Sequence, residues 1–402
     1  MKAHARKRLP VGILAALLLS GILSGCASPT ISGTAMARPG AAAPSAGGSS
    51  VTSPPAATSL PPPATTSSPP ASACASLISS MDVRAQVAQL VVPGVDAGNP
   101  AAAVSLVKSQ QIGGIFVGGN NTTLLQNGAL NAVQAAAKIP VSVAVDEEGG
   151  RVQRIDDLDG SLPSARELAA TKTPDEVRAL GVQRGQQLRA RGVTVDYAPD
   201  ADVSDEPADA VIGDRSYSPD PAKVRAYAMA FANGLRQSGV TPVLKHFPGH
   251  GHGSGDSHKG TVTTPPLDRL RQVDLQPYRN IAEYGKVEVM VGHLDVPGLT
   301  DGVPASISPA AYQLLRGEYH FTGPVITDDL GGMKAITDQY SLPDAVLKAL
   351  QSGADEALFS SGSGDVGQVL DRLTRAVADG DLPADRVAAS VQRVLTSKGV
   401  CG

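Results

Sequence analysis

The chain has 402 residues, a net charge of −4 and a pI near 6.0, with no basic stripe, so nucleic acid is not an expected partner. Aromatic residues make up 3% and Trp is absent, which argues against a long groove that stacks sugar rings. Any sugar site here has to work by hydrogen bonds and charge in a small closed pocket.

Residues 1–25 read as an export signal. Lys2, Arg6, Lys7 and Arg8 form a positive start, and Val11 to Leu19 is an apolar run too short to span a bilayer. Leu23-Ser24-Gly25-Cys26 resembles a bacterial lipobox, which makes Cys26 the expected lipidated residue and the protein a membrane-held lipoprotein facing the cell wall or periplasm. A plain secretory signal with an incidental Cys is the alternative. Residues 26–73 are rich in Pro, Ser, Thr, Ala and Gly, bury too little apolar surface to fold, and read as an extended tether. The remainder, residues 74–402, is long enough for one large domain or two modest ones. Cys74 and Cys401 stand at its two ends; export to an oxidising compartment makes a disulfide between them an expectation, with two free thiols as the alternative.

From Leu77 onward short Val-, Ile- and Leu-rich runs alternate with amphipathic stretches. Strands are expected to end near Val92, Val117, Val145, Ala198, Leu244, Val291, Thr327 and Phe359. Helices are expected over Pro100–Ser109, Leu124–Ala137, Thr173–Arg191, Pro221–Gln237, Asp268–Glu283, Leu342–Gln351, Asp365–Ala378 and Pro383–Thr396. Thr173 supplies an N-cap, with Pro174 at the first helical position and Asp175 and Glu176 in the first turn. About eight βα units in such a length predict an α/β fold, a single-domain (β/α)8 TIM-type barrel. A doubly wound open sheet is the runner-up, and neither G-x-G-x-x-G nor G-x-x-x-x-G-K-[ST] supports a nucleotide-binding version of it.

Polar residues follow these strands where a barrel would build its active site. Asp146 opens DEEGGRVQR (146–154), and Lys245-His246 opens KHFPGHGHGSGDSH (245–258). His293 follows the sixth strand, and Asp328 lies in VITDDLGGM (325–333). These motifs, with MDVRAQVAQL (81–90) upstream, resemble glycoside hydrolase family 3, in its β-N-acetylglucosaminidase branch of bacterial cell-wall recycling. The resemblance covers essentially the whole folded region.

The resemblance implies that Asp328 is the nucleophile, attacking the anomeric carbon and leaving as a stable carboxylate in a retaining double displacement. The plainer role is an N-cap for a helix starting near Leu330, which Asp329 fits better. His258 matches the acid/base of this branch, with Asp256 as its partner; an imidazole beside a carboxylate can do the work of a second carboxylic acid. The loop Gly249–Gly255 is rich in glycine and able to move. A rival is metal binding by His246, His250, His252, Asp256 and His258, but H-x-x-x-H-x-H is no recognised zinc framework, so neither metal nor organic cofactor is expected. Asp146, Arg154, Arg215, Lys245 and His246 match substrate-binding positions, while Arg154 and Arg215 taken singly would more often be surface ion pairs. Adjacent side chains at a strand end point different ways, so Glu147 and Glu148 receive no role.

The expected activity is that of a monomeric, retaining exo-β-N-acetylglucosaminidase removing terminal N-acetylglucosamine from peptidoglycan or muropeptide fragments. Phosphorolysis at the same site is one alternative, because an imidazole does not repel incoming phosphate as a carboxylate would. A non-catalytic substrate-binding lipoprotein is the other.

Overall fold

The computed structural model describes residues 71–360 and 365–401. The readings of the signal, of Cys26 and of the tether up to residue 70 lie outside the described residues. The first helix, Ala71–Ser80, starts before the expected boundary at 74.

Eight strands run parallel: β1 (Val91–Pro93), β2 (Gly114–Phe116), β3 (Ser142–Val145), β4 (Val195–Asp196), β5 (Thr241–Phe247), β6 (Glu288–Val291), β7 (Val325–Thr327) and β8 (Ala357–Phe359). Each ends within a few residues of its expected end. Pairing runs in chain order from β2 to β7. β1 pairs with β8, Val91 opposite Ala357. Single parallel bridges, Gly94–Phe116 and Ile326–Glu356, join β1 to β2 and β7 to β8. The expected parallel α/β class is therefore observed.

Two apolar clusters hold the elements together. The larger lies between strands and helices. The smaller takes Val92, Ala144, Val195, Tyr197, Val243, Met290, Ile326 and Leu358, with Phe116 packed on it, so each of the eight strands contributes. Side chains alternate along a strand, so these residues fill the side of the sheet that faces away from the helices.

The helices start where the chain supplies caps. Thr173 and Glu176 form a reciprocal capping box ahead of Pro174–Ala190, and Asp220 accepts from the Ala222 N–H ahead of Pro221–Gln237. Two expected helices are shorter than their periodicity suggests. Leu124–Ala137 is interrupted by Asn127 and Gly128, both in the left-handed region, leaving Ala129–Ala136. The stretch 268–283 ends as a helix at Gln272 and continues as short 3₁₀ turns around Pro277, which cannot donate an intrahelical hydrogen bond. No helix begins near Leu330; the next is the short Lys334–Thr337.

The expected disulfide is present, Cys74 to Cys401, with Cα atoms 5.3 Å apart across 327 residues of sequence. It ties Ala71–Ser80 to the end of the chain just beyond the last helix, Ala384–Ser397, on which that first helix packs. Closing so long a loop restricts the unfolded chain. Cys74→Ser with Cys401→Ser is expected to lower stability by up to about 5 kcal/mol, measured by denaturant titration against the oxidised parent.

Candidate active site

The C-terminal ends of the strands surround a pocket of about 310 Å³. That is the lower end of the range for small-ligand sites, enough for one sugar ring and little more. Phe116, Tyr197, Met290 and Leu358 line its apolar part, and Phe116 stacks on Tyr197 with ring centroids 5.5 Å apart. The polar part is made by Asp146, Glu148, Arg154, Arg215, Lys245, His246, His258 and Asp328. Seven of the eight residues assigned from sequence to catalysis or binding thus meet in one cavity. The eighth, Asp256, reaches it through His258, whose Nδ1 is 3.0 Å from Asp256 Oδ1.

Asp328 follows β7 directly. Its backbone N–H donates to the Val291 carbonyl, and its Oδ1 accepts the Asp329 N–H at 2.9 Å. Burial pushes the carboxyl up. The positive field of His293, His246 and Lys245, with the Asp329 N–H, outweighs that and holds Asp328 below its ordinary value. The imidazoles contribute only when protonated; Lys245 and the N–H contribute throughout the neutral range. Asp328 is therefore kept as an anion in a buried site. Asp329 does not cap a helix. Its Oδ1 accepts the N–H groups of Gly331, Gly332 and Ser360, which fixes the turn behind Asp328. Buried His293 backs that turn, with Nε2 3.0 Å from the Asp329 carbonyl and Nδ1 2.6 Å from Ser306 Oγ.

Lys245 and His246 both reach the site where the β5–β6 register shifts between Leu244 and Phe247, and the peptide joining them is cis. Lys245 Nζ lies 2.7 Å from Asp146 Oδ1 and 2.6 Å from Glu148 Oε1. Arg215 grips Glu148 with two parallel bonds of 2.8 Å. Arg154 Nη2 is 3.5 Å from Asp146 Oδ2. The two arginines are thus parts of a buried charge network rather than surface pairs. Asp146 is left accessible at its tip, with cations on either side, as a hydroxyl-accepting carboxylate requires.

Glu148 is the charged pocket residue that the sequence left without a role. Burial raises its carboxyl, but Arg215 and Lys245 overcome this and hold it far below its ordinary value. Glu147 turns the other way, into Arg184 at 3.5 Å and the N–H groups of Arg154 and Ile155. A signal for this did exist: positions 146 and 148 share parity, so the side of the chain that takes Asp146 to the pocket takes Glu148 there too. A group with a depressed folded pKa stabilises above its ordinary value, and that contribution is lost as pH falls through the folded value. Glu148→Gln, leaving Arg215 and Lys245 without their shared counter-charge, is expected to cost about 3 kcal/mol of stability and to raise KM, read by denaturation and steady-state kinetics.

His246 is oriented by Asp202, whose Oδ2 is 2.7 Å from Nδ1. Burial raises Asp202, but His246 and His250 bring it down to about 2, while burial and the neighbouring Asp202 push Asp200 well up. Asp200, Asp202 and His246 are the one group among the described residues with the closeness a metal ion needs. Arg215 Nη2 already stands there, 3.7 Å from Asp200 and 3.5 Å from His246 Nε2, supplying the positive charge. The five residues considered as metal ligands from sequence do not converge, because His246, His252 and His258 face different carboxylates, Asp202, Asp274 and Asp256.

A larger cavity of about 630 Å³ lies at the opposite ends of the strands, near Thr241, Val287 and Pro324. Its lining includes no Asp or Glu, so it offers no nucleophile for sugar transfer.

Residues 82–397 match the glycosyl hydrolase family 3 N-terminal domain. The chain belongs to this family and is a glycoside hydrolase, which sets aside the non-catalytic binding lipoprotein. It is 51% identical to the β-hexosaminidase LpqI of Mycobacterium tuberculosis over 332 residues, covering 81% of this chain and 85% of that one. The solved structure of M. tuberculosis LpqI superposes with a TM-score of 0.78 at 51% identity, covering 81% of this chain and 96% of that one. A family 3 β-N-acetylglucosaminidase from Paenibacillus superposes with a TM-score of 0.74 at 29% identity, covering 80% of this chain and 62% of that one.

Proposed function

We propose that the protein is a retaining exo-β-N-acetylglucosaminidase acting on cell-wall fragments. The observation that carries this is the placement of Asp328, a buried anion at the end of a strand, in a one-sugar pocket that it shares with Asp146, Glu148, Arg154, Arg215, Lys245, His246 and His258. A closed pocket of that size accepts a chain end rather than a chain interior, hence the exo action. In the first step Asp328 forms the bond to the anomeric carbon while the bond to the leaving oxygen breaks and His258 delivers a proton to it. In the second, His258 takes a proton from water, the water oxygen bonds to the anomeric carbon, and Asp328 departs as carboxylate. The names of the relatives support the N-acetylhexosaminide preference.

The eight strands form a (β/α)8 barrel in this reading. Support comes from the run of pairings and bridges that leads from β1 to β8 and back, and from the interior cluster fed by every strand. Turnover of nitrophenyl N-acetylglucosaminide, with retention read by NMR of the first-formed anomer, tests the activity. An inverted product rejects the mechanism, and formation of sugar 1-phosphate when phosphate is added redirects it to phosphorolysis.

The lipobox-like Leu23–Cys26 supports a lipoprotein at the outer face of the cytoplasmic membrane. Cys26→Ala is expected to move the protein from the membrane fraction to the soluble exported fraction; unchanged membrane retention rejects the anchor.

A further inference from the structure

The segment carrying Asp256 and His258 divides into two halves. The first half is wedged. A Cβ on Gly251 would sit 1.9 Å from the Val203 carbonyl oxygen, one on Gly253 2.8 Å from the Val262 side chain, and one on Gly249 2.5 Å from Asp274 Cβ. In the second half, Gly255 and Gly260 have nothing near the position a Cβ would take. The glycines of the motif thus do two different things: close approach in 249–253, open space in 255–260. His252 stands at the junction. Its Nδ1 is 2.7 Å from Oδ1 of Asp274, and its Nε2 is 3.9 Å from Asp205 on the loop after β4. Asp274 is 1% exposed, and its Oδ2 has no hydrogen-bond partner among the described residues. A buried carboxylate with one partner depends on that partner for its charge balance.

We propose that His252 is a positioning residue whose pair with Asp274 latches the base of the loop and so sets where Asp256 and His258 stand over the pocket. This rests on the reading of His258 as the acid/base. Beyond the latch the second half is held at a few points: Ser254 meets Thr263, and buried Ser257 meets Met333 and Ala335 on the segment following Asp328. The His258 side chain is 64% exposed, so little else fixes it. A displacement at the junction is carried directly to the dyad, and errors of an ångström in the place of a proton donor cost one to two decades in rate.

The latch is sensitive to pH. The charged groups facing His252 are Asp274 and Asp205, with Arg269 opposing and Asp202 behind Asp274. The Asp274 hydrogen bond, against some desolvation, raises His252 above its ordinary 6.5, and burial raises Asp274. With its folded value above the ordinary one, His252 keeps its charge below about 6.5 and loses it as pH rises through the raised value. Asp274, also raised, loses its charge at the acid end, so the latch weakens on the alkaline side of neutrality.

The test is amide hydrogen exchange of residues 250–258 across pH 5.5 to about 9, a window chosen to bracket ordinary imidazole titration, together with kcat and KM on an N-acetylglucosaminyl disaccharide. The parent is expected to show protection of this segment that falls on the alkaline side. His252→Ala should lose it at every pH, with kcat about ten- to a hundredfold lower, KM within about twofold and exchange elsewhere unchanged. His252→Asn, which places an amide N–H where Nδ1 was, should keep protection and rate but lose the pH dependence, and it serves where the Ala variant folds poorly. Parent-like exchange and kcat in His252→Ala, or loss of protection spread over the whole chain, would overturn the latch. If the parent itself does not turn over the disaccharide, the glycosidase reading fails, and the exchange experiment still decides the latch.

Discussion

Asp328→Ala is expected to abolish turnover on every substrate, by roughly four orders of magnitude or more, whatever the leaving group. The pocket contains one other carboxylate with a free edge, Asp146, and its oxygens face Lys245 and Arg154, where they accept hydrogen bonds rather than attack. Glu148 is fully engaged by Arg215 and Lys245. Asp329, which also lines the pocket, is held by the N–H groups of Gly331, Gly332 and Ser360, so no side chain remains to form the glycosyl ester. An added small anion such as azide can act only by direct displacement, giving an inverted product. The side chain has few structural duties, its one hydrogen bond among the described residues being accepted from the neighbouring Asp329 N–H, so the thermal midpoint should stay close to that of the parent. Residual turnover above a hundredth of the parental rate in a correctly folded Asp328→Ala protein would remove this residue from the nucleophile's role.

His258→Ala should fail in a different way. A sugar leaving group needs a proton to depart, so the disaccharide rate should fall by about two to four orders of magnitude. Nitrophenolate leaves unaided, so the first step should survive and give a burst of nitrophenol. The second step lacks its base, and the enzyme should accumulate as the glycosyl ester, visible by mass spectrometry as one N-acetylhexosamine residue on the peptide containing Asp328. Azide should restore turnover, since it needs no deprotonation. Asp256→Asn should be milder. Asp256 is held below its ordinary value, its burial being outweighed by the His258 backbone N–H and ring and by Lys259, so it is an anion beside His258 at neutral pH. The Asn variant keeps the imidazole and loses the carboxylate that orients it. Full disaccharide activity in His258→Ala would send the search for the acid/base to the other groups at the strand ends.

These two residues were legible in the chain because each sits in a compact local motif, Asp328 straight after an apolar strand and His258 two residues beyond Asp256. The strand ends were legible for the same kind of reason: buried parallel strands are short apolar runs, and the polar residue that ends each run is a local signal. The helix start at Thr173 was read from its cap. Periodicity overreached where it met local backbone chemistry, at Asn127-Gly128 and Pro277, because an apolar pattern records which face is buried and not whether the backbone between can hydrogen-bond.

Pairing was decided only in three dimensions. The choice between Glu147 and Glu148 turned on which cations the fold brings near each: Arg184 from the helix Pro174–Ala190 for one, Arg215 and Lys245 from two later segments for the other. The histidines of one short loop looked like a cluster and were distributed to three separate carboxylates, two of them outside the loop. The glycines around them looked like flexibility, and three of the five, Gly249, Gly251 and Gly253, proved to be contacts too close for a side chain. Sequence by itself determined which residue types stand at the strand ends, because burial and hydrogen bonding along the chain are local. Which charge faces which was set by the tertiary structure, because Coulomb partners and van der Waals limits act across space between residues that the sequence leaves tens of positions apart.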